Sequence, residues 1–220
     1  MESFRFEEAL SALPDLIADE SEEMRHFYIA IDGVSGSGKS MLADHLAEKL
    51  GAPVIHMDDF YLPLSERSGA RIAEPGWNVD YERFRREVAG NALKGSPISY
   101  GIFDCASQCI QRTVTLPDSR YLIVEGCYAM HPEIPDFYDL RIVLTAERSL
   151  CESRIRARDG EAVLERFRRE WFPLEDAYMQ AYMIRELSDV VVWSGEMPQT
   201  SGDCENFRGF EMDFSWNDTQ

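Results

Sequence analysis

Apolar and polar positions change their spacing several times along the chain. In residues 2–23, Phe6, Leu10, Leu13, Leu16 and Ile17 recur near helical intervals, which predicts an amphipathic helix with Pro14 as a break point. Phe27-Tyr28-Ile29-Ala30-Ile31 is then an unbroken apolar run, the mark of a strand buried on both faces. Glycine-rich residues 33–38 follow, and a helical stretch from Lys39 to Leu50 stops at Gly51. A second apolar strand runs from Pro53 to Met57 and ends at Asp58-Asp59.

Residues 62–79, rich in Pro, Gly, Ser and Arg, read as a mobile excursion. A helix is expected from Asp80 to Leu93, and residues 98–116 read as a β excursion with alternation in Arg112–Leu116. Further strands fall at residues 121–124, 140–144 and 190–193, the last two separated by a long helical, arginine-rich region. Strands alternating with helices at these intervals mean βαβ units. The fold class is therefore α/β, with five parallel strands and helices on both faces.

Charge adjusts this picture only at the ends. The formal net charge of −18 includes −7 from residues 1–23 and −4 from residues 201–220, leaving a mildly acidic body. A basic nucleic-acid footprint is absent, and anionic membranes should repel the chain. Five cysteines without C-x-x-C pairs suggest reduced thiols; Cys105 and Cys109 could be two metal ligands, but nothing nearby completes a set of four. The start, M-E-S-F-R-F-E-E, lacks a signal-peptide pattern, and no apolar run reaches the roughly 20 residues of a membrane span. These features predict a cytoplasmic protein without nucleic-acid or membrane partners; they are compatible with a homo-oligomer.

The chemistry-bearing motif is Gly33-Val34-Ser35-Gly36-Ser37-Gly38-Lys39-Ser40, which fits G-x-x-x-x-G-K-[ST]. A buried strand feeds it and a helix leaves it, the arrangement that phosphate binding needs. Gly33, Ser35, Gly36, Ser37, Gly38, Lys39 and Ser40 are the expected nucleotide contacts, with backbone N–H groups converging on phosphate oxygens at a helix N-terminus. Lys39 is expected to reach the β- and γ-phosphates and Ser40 to ligate Mg²⁺. Lys39 is one of only three lysines beside nineteen arginines, so it is no part of a general lysine surface.

Ligands bind outside the carboxyl ends of parallel strands. Asp58 and Asp59 end one strand and Glu125 ends another, so these acids should face the phosphates; a helix N-cap is the competing role for either aspartate. At this point the chain resembles the uridine kinase-like small-molecule kinases, which include uridine–cytidine and nicotinamide riboside kinases. The resemblance covers nearly all of residues 27–193 through I-D-G-V-S-G-S-G-K-S, H-M-D-D-F-Y, W-N-V-D-Y-E-R-F, L-I-V-E-G, F-Y-D-L-R-I, R-I-R-A-R-D and S-D-V-V-V. It implies a three-layer P-loop kinase fold using ATP and Mg²⁺. It also implies Asp58 as the base that accepts a substrate hydroxyl proton, Asp80 as the holder of sugar hydroxyls, and Glu125 as the acid that organises Mg²⁺.

Residues 141–170 hold eight of the twenty-two basic groups. Phosphoryl transfer spreads negative charge that such groups can stabilise, and Arg154 and Arg158, four apart, share a helix face. Asp159-Gly160 marks a turn, and the resemblance implies a lid over residues 154–160 whose arginines contact phosphates. On the acceptor side, Tyr61 and Phe103 could stack on a flat ring, with Asp104 and Gln108 nearby. Uridine kinases follow their aromatic-Asp segment with a histidine that reads the base; Tyr100–Gln108 has none. The expected organisation is an N-terminal helix over residues 1–26, a kinase domain over 27–200 with an acceptor-binding excursion at 62–116, and an acidic tail over 201–220. The expected function is ATP-dependent phosphorylation of a hydroxyl on a small, nucleoside-like molecule. Alternatives are another alcohol such as nicotinamide riboside or a pantothenate-like acceptor, or a nucleotide-binding regulator that transfers no phosphate.

Overall fold

The computed structural model of the chain describes residues 1–195. The end of the expected kinase domain, the expected acidic tail over residues 201–220 and Cys204 lie outside the described residues.

A six-stranded, wholly parallel sheet has the order β1-β8-β7-β2-β6-β3. The strands are β1 (Glu2–Arg5), β2 (Phe27–Gly33), β3 (Val54–His56), β6 (Tyr121–Glu125), β7 (Leu140–Ala146) and β8 (Val190–Ser194). β4 (Ser99–Asp104) and β5 (Cys109–Thr115) form a separate antiparallel hairpin. The helices are α1 (Phe6–Glu20), α2 (Lys39–Leu50), α3 (Gly69–Ile72), α4 (Tyr81–Phe84), α5 (Gly90–Ala92), α6 (Arg148–Asp159), α7 (Glu161–Arg166) and α8 (Phe172–Ala181). A π turn at Arg85–Ala89 joins α4 to α5, so the expected helix over 80–93 is nearly continuous.

Period-two alternation explains why the central strands read as unbroken apolar runs. Ile29 and Ile31 of β2 pack with α1 and α2 on one face, while Ala30 faces a second core built on Met57, Phe60, Phe84 and Tyr178. A third, smaller cluster joins Cys151 and Ile155 of α6 to Leu164, Phe167 and Phe172.

The expected count of five strands is corrected to six, and the expected helix over residues 1–26 to a strand followed by a helix. Glu2–Arg5 pairs in parallel with β8, Phe4 opposite Val192. Four residues are too few to show alternation, and pairing with β8 satisfies backbone groups that the sheet edge would otherwise expose. The apolar stripe of α1 is Phe6, Ala9, Leu13 and Ile17; Leu16 is exposed. Pro14 does not break the helix, contrary to expectation. Its missing N–H would leave the Leu10 carbonyl without a donor, and His45 Nε2 of α2 lies 2.8 Å from that oxygen.

Candidate active site

The loop between β2 and α2 takes a shape that glycine alone permits. Gly33, Gly36 and Gly38 have φ of 139°, 81° and 109°. A Cβ on Gly33 would lie 2.3 Å from the Leu144 carbonyl oxygen, and one on Gly36 2.8 Å from that of Cys151. Lys39 Nζ donates to the Val34 carbonyl at 3.1 Å, so the side chain folds back over its own loop. Ser37 Oγ is buried without a hydrogen-bond partner, a donor the loop itself leaves unused.

Two acids, neither singled out by the sequence reading, fix this loop. Asp32, fully buried, accepts from Gly33 N at 2.6 Å, Met130 N at 2.9 Å and the Tyr178 hydroxyl at 2.7 Å. Burial raises its pKa while these donors oppose the rise. Glu175 of α8 accepts from Ser35 N at 2.9 Å and Ser35 Oγ at 2.5 Å, and burial raises its pKa too. An aspartate between an apolar run and a glycine was a visible signal for Asp32. Glu175 meets its partner 140 residues away, and nothing local announces that contact.

At the start of α2, Ser40 Oγ lies 3.4 and 3.3 Å from the two oxygens of Glu125, which is 6% exposed. One hydroxyl and one carboxylate beside a phosphate loop fit Mg²⁺, a hard cation that keeps water and phosphate oxygens as its other ligands. No larger cluster of metal-ligating side chains occurs among the described residues, Cys105 and Cys109 included. His56 stands at the exposed end of β3 with Nδ1 2.6 Å from Glu125 Oε1. The Glu125 hydrogen bond is the main cause that raises its pKa.

Asp58 and Asp59 lie on the 3₁₀ turn Met57–Phe60 that follows β3. Asp58 is exposed and accepts from the Tyr61 hydroxyl at 3.1 Å. Asp59 is half-buried and accepts from the Tyr100 hydroxyl; burial is the largest cause of its raised pKa. One carboxylate is therefore committed inward while its neighbour is exposed.

The expected acceptor residues gather around the excursion, and several have local duties there. Asp80 caps α4 through Arg83 N at 2.9 Å and pairs with Arg83 Nε at 3.3 Å. Asp104 accepts from Ser107 N and Oγ at 2.7 and 2.6 Å, closing the β4–β5 turn, which lowers its pKa. Gln108 accepts from Leu64 N at 2.9 Å and donates to the Cys105 carbonyl at 2.7 Å, tying the hairpin to the excursion. Asp80, Phe103 and Gln108, with Leu62, Arg71 and Arg83, border a cavity of about 790 Å³. Neither Asp58 nor the phosphate loop lines that cavity, so it extends the acceptor side and does not itself unite the site.

Of the expected arginines, Arg154 grips the loop from α6. Its Nη1 lies 2.9 Å from Gly36 O, 3.0 Å from Ser37 O and 2.9 Å from Ser194 Oγ. Arg158 is exposed; its pair with Asp159 at 2.7 Å is the main cause that raises its pKa, and the Asp58 carboxylate adds to the rise. Gly160, at φ 88°, separates α6 from α7.

No protein-family model matches the chain. Among curated proteins it is 27% identical over 123 residues to uridine-cytidine kinase C of Dictyostelium discoideum, covering 53% of this chain and 26% of that protein. It is 22% identical over 166 residues to inorganic pyrophosphatase TTM1 of Arabidopsis thaliana, covering 69% of this chain and 25% of that protein. The chain thus spans about a quarter of the length of these two relatives. The match to uridine kinase of Deinococcus deserti is 23% over 203 residues and covers 84% and 96% of the two chains. Among solved structures, a possible uridine kinase from Bacillus stearothermophilus superposes with a TM-score of 0.61 at 20% identity, over 83% of this chain and 98% of that one. The resemblance to uridine kinase-like P-loop kinases therefore stands in sequence, and the fold is that of an α/β P-loop kinase.

Proposed function

We propose that the chain is an ATP-dependent, Mg²⁺-requiring kinase that phosphorylates a hydroxyl of a small, nucleoside-like acceptor. The observation that carries this reading is the contrast at the end of β3: Asp59 is held inward by Tyr100, while Asp58 faces out toward Arg158. An exposed carboxylate at the end of a strand in the sheet that carries the phosphate-binding loop supports transfer to an acceptor, because a hydroxyl needs a base and a binding loop alone does not.

In this reading the loop amides and Lys39 bind the triphosphate, and Lys39 leaves the Val34 carbonyl to follow the γ-phosphate. Mg²⁺ held by Ser40 and Glu125 would neutralise phosphate charge. Asp58 orients the acceptor hydroxyl and takes its proton, with Tyr61 steadying the carboxylate. Arg158 stabilises charge on the moving phosphoryl group. Tyr61 and Phe103 flank the acceptor, and its identity is set by the cavity between the excursion and the hairpin. Lid closure over residues 154–160 and a cytoplasmic location belong to the same proposal.

The match to a pyrophosphatase favours one second reading, hydrolysis of a phosphoanhydride with water in the acceptor's place. An ATP-coupled assay over nucleosides, nicotinamide riboside and small alcohols separates the two. A phosphorylated acceptor formed in step with ADP supports the kinase. Phosphate released from ATP or pyrophosphate at a rate indifferent to every acceptor supports hydrolysis.

A further inference from the structure

We propose that Glu175 is a positioning residue of the phosphate-binding loop whose carboxyl group takes up a proton when a nucleoside triphosphate fills that loop. The proposal rests on the nucleotide-site reading above and adds to it a residue and a proton. Glu175 is 4% exposed, and both its oxygens accept from Ser35, the third residue of the loop. No other acidic side chain among the described residues bonds to the backbone of Val34–Ser37. The groups that face it are Lys39 from the loop and Arg148 from α6, which favour its charged form. Tyr61, Cys127, Tyr128 and Cys151 are titratable groups that also feel its charge.

The charge balance around this carboxylate depends on Lys39. With Lys39 Nζ folded onto the Val34 carbonyl, its positive charge offsets Glu175. A triphosphate claims that charge for its own oxygens and brings several negative charges beside a carboxylate that water cannot reach. Like charges in so dry a place cannot all persist, and the carboxylate is the group able to take a proton. The neutral acid still accepts from Ser35 N–H, so the loop keeps its shape while the repulsion is removed. Burial already favours the protonated form.

Calorimetric titration with Mg²⁺ and a non-hydrolysable ATP analogue, in buffers of different ionisation heat, reads this proton directly. Glu175→Gln keeps an acceptor for Ser35 N–H and a donor for Ser35 Oγ but cannot titrate. The wild-type chain should take up a substantial fraction of one proton more per site than the variant near neutral pH. Its affinity relative to the variant should fall as pH rises, by at most about tenfold per pH unit. Equal proton uptake with tight binding in both chains overturns the proposal alone. A wild-type chain that binds no triphosphate overturns the nucleotide-site reading together with it. Should the Gln variant not fold, the carboxyl ¹³C shift of Glu175 in the wild type decides: a protonated shift in the complex supports the proposal, and an unchanged carboxylate shift overturns it.

Discussion

His56 Nδ1 and Glu125 Oε1 are 2.6 Å apart, and the contact joins the carboxyl ends of β3 and β6. It raises the pKa of His56, so the folded chain holds this proton more tightly than the unfolded one. The stabilisation is complete below the ordinary histidine value and fades as pH rises through the raised value. The imidazole is about half-exposed, which keeps the effect to about 1 kcal/mol or less. Melting curves of wild type and His56→Gln should therefore diverge in mild acid and converge in base. A gap that does not change with pH contradicts the pairing.

His131 works in the opposite direction. It is 2% exposed and stacked on Tyr81 at 4.6 Å between ring centres. Nδ1 accepts from Glu133 N at 3.2 Å and Nε2 faces the Pro75 carbonyl at 3.3 Å, which fixes a neutral ring. Burial lowers its pKa to about 4. The unfolded chain takes this proton first, so stability is full above the ordinary histidine value and drains away as pH falls toward the lowered one. The linked loss is on the order of 3 kcal/mol. His131→Phe, which preserves stacking, should flatten that acid slope in a pH series of denaturant titrations; an unchanged slope assigns it to other groups.

The two arginines of α6 should separate in their effects. Arg154 serves the loop backbone and Ser194, so Arg154→Met should lower both thermal stability and nucleotide affinity, with a cost of about 1.5–3 kcal/mol for its charged hydrogen bonds. Arg158 pairs only at the surface with Asp159, so Arg158→Ala should leave the melting temperature nearly unchanged. Its kcat should nonetheless fall at least about tenfold, because it faces Asp58. Parallel melting and steady-state measurements test the split, and the reverse pattern contradicts it.

What the sequence made legible was chemistry carried by neighbours in the chain. Gly33–Ser40 declares its loop because glycines, lysine and serine act from one short segment, and Asp58 and Glu125 declare themselves by ending apolar runs. Asp80 and Asp104 were legible as acids, but their capping of α4 and of the hairpin turn depends on backbone geometry. Glu175, His56 and His131 act through partners that only the fold brings near, and the four residues of β1 gain their strand character from β8. Arg154 lay on the expected helix, yet its partners across the loop depend on how α6 packs over Gly36.

The central claim is that Asp58 removes the acceptor's proton, and Asp58→Asn tests it most directly because the amide keeps the size and loses the basicity. General-base assistance is typically worth about 10²–10⁴-fold. With the best acceptor from the panel, Asp58→Asn should lower kcat by at least about 10²-fold while ATP affinity changes little, and Asp59→Asn, at the residue Tyr100 holds inward, should be milder. A dead Asp59→Asn enzyme beside an active Asp58→Asn enzyme would contradict the account.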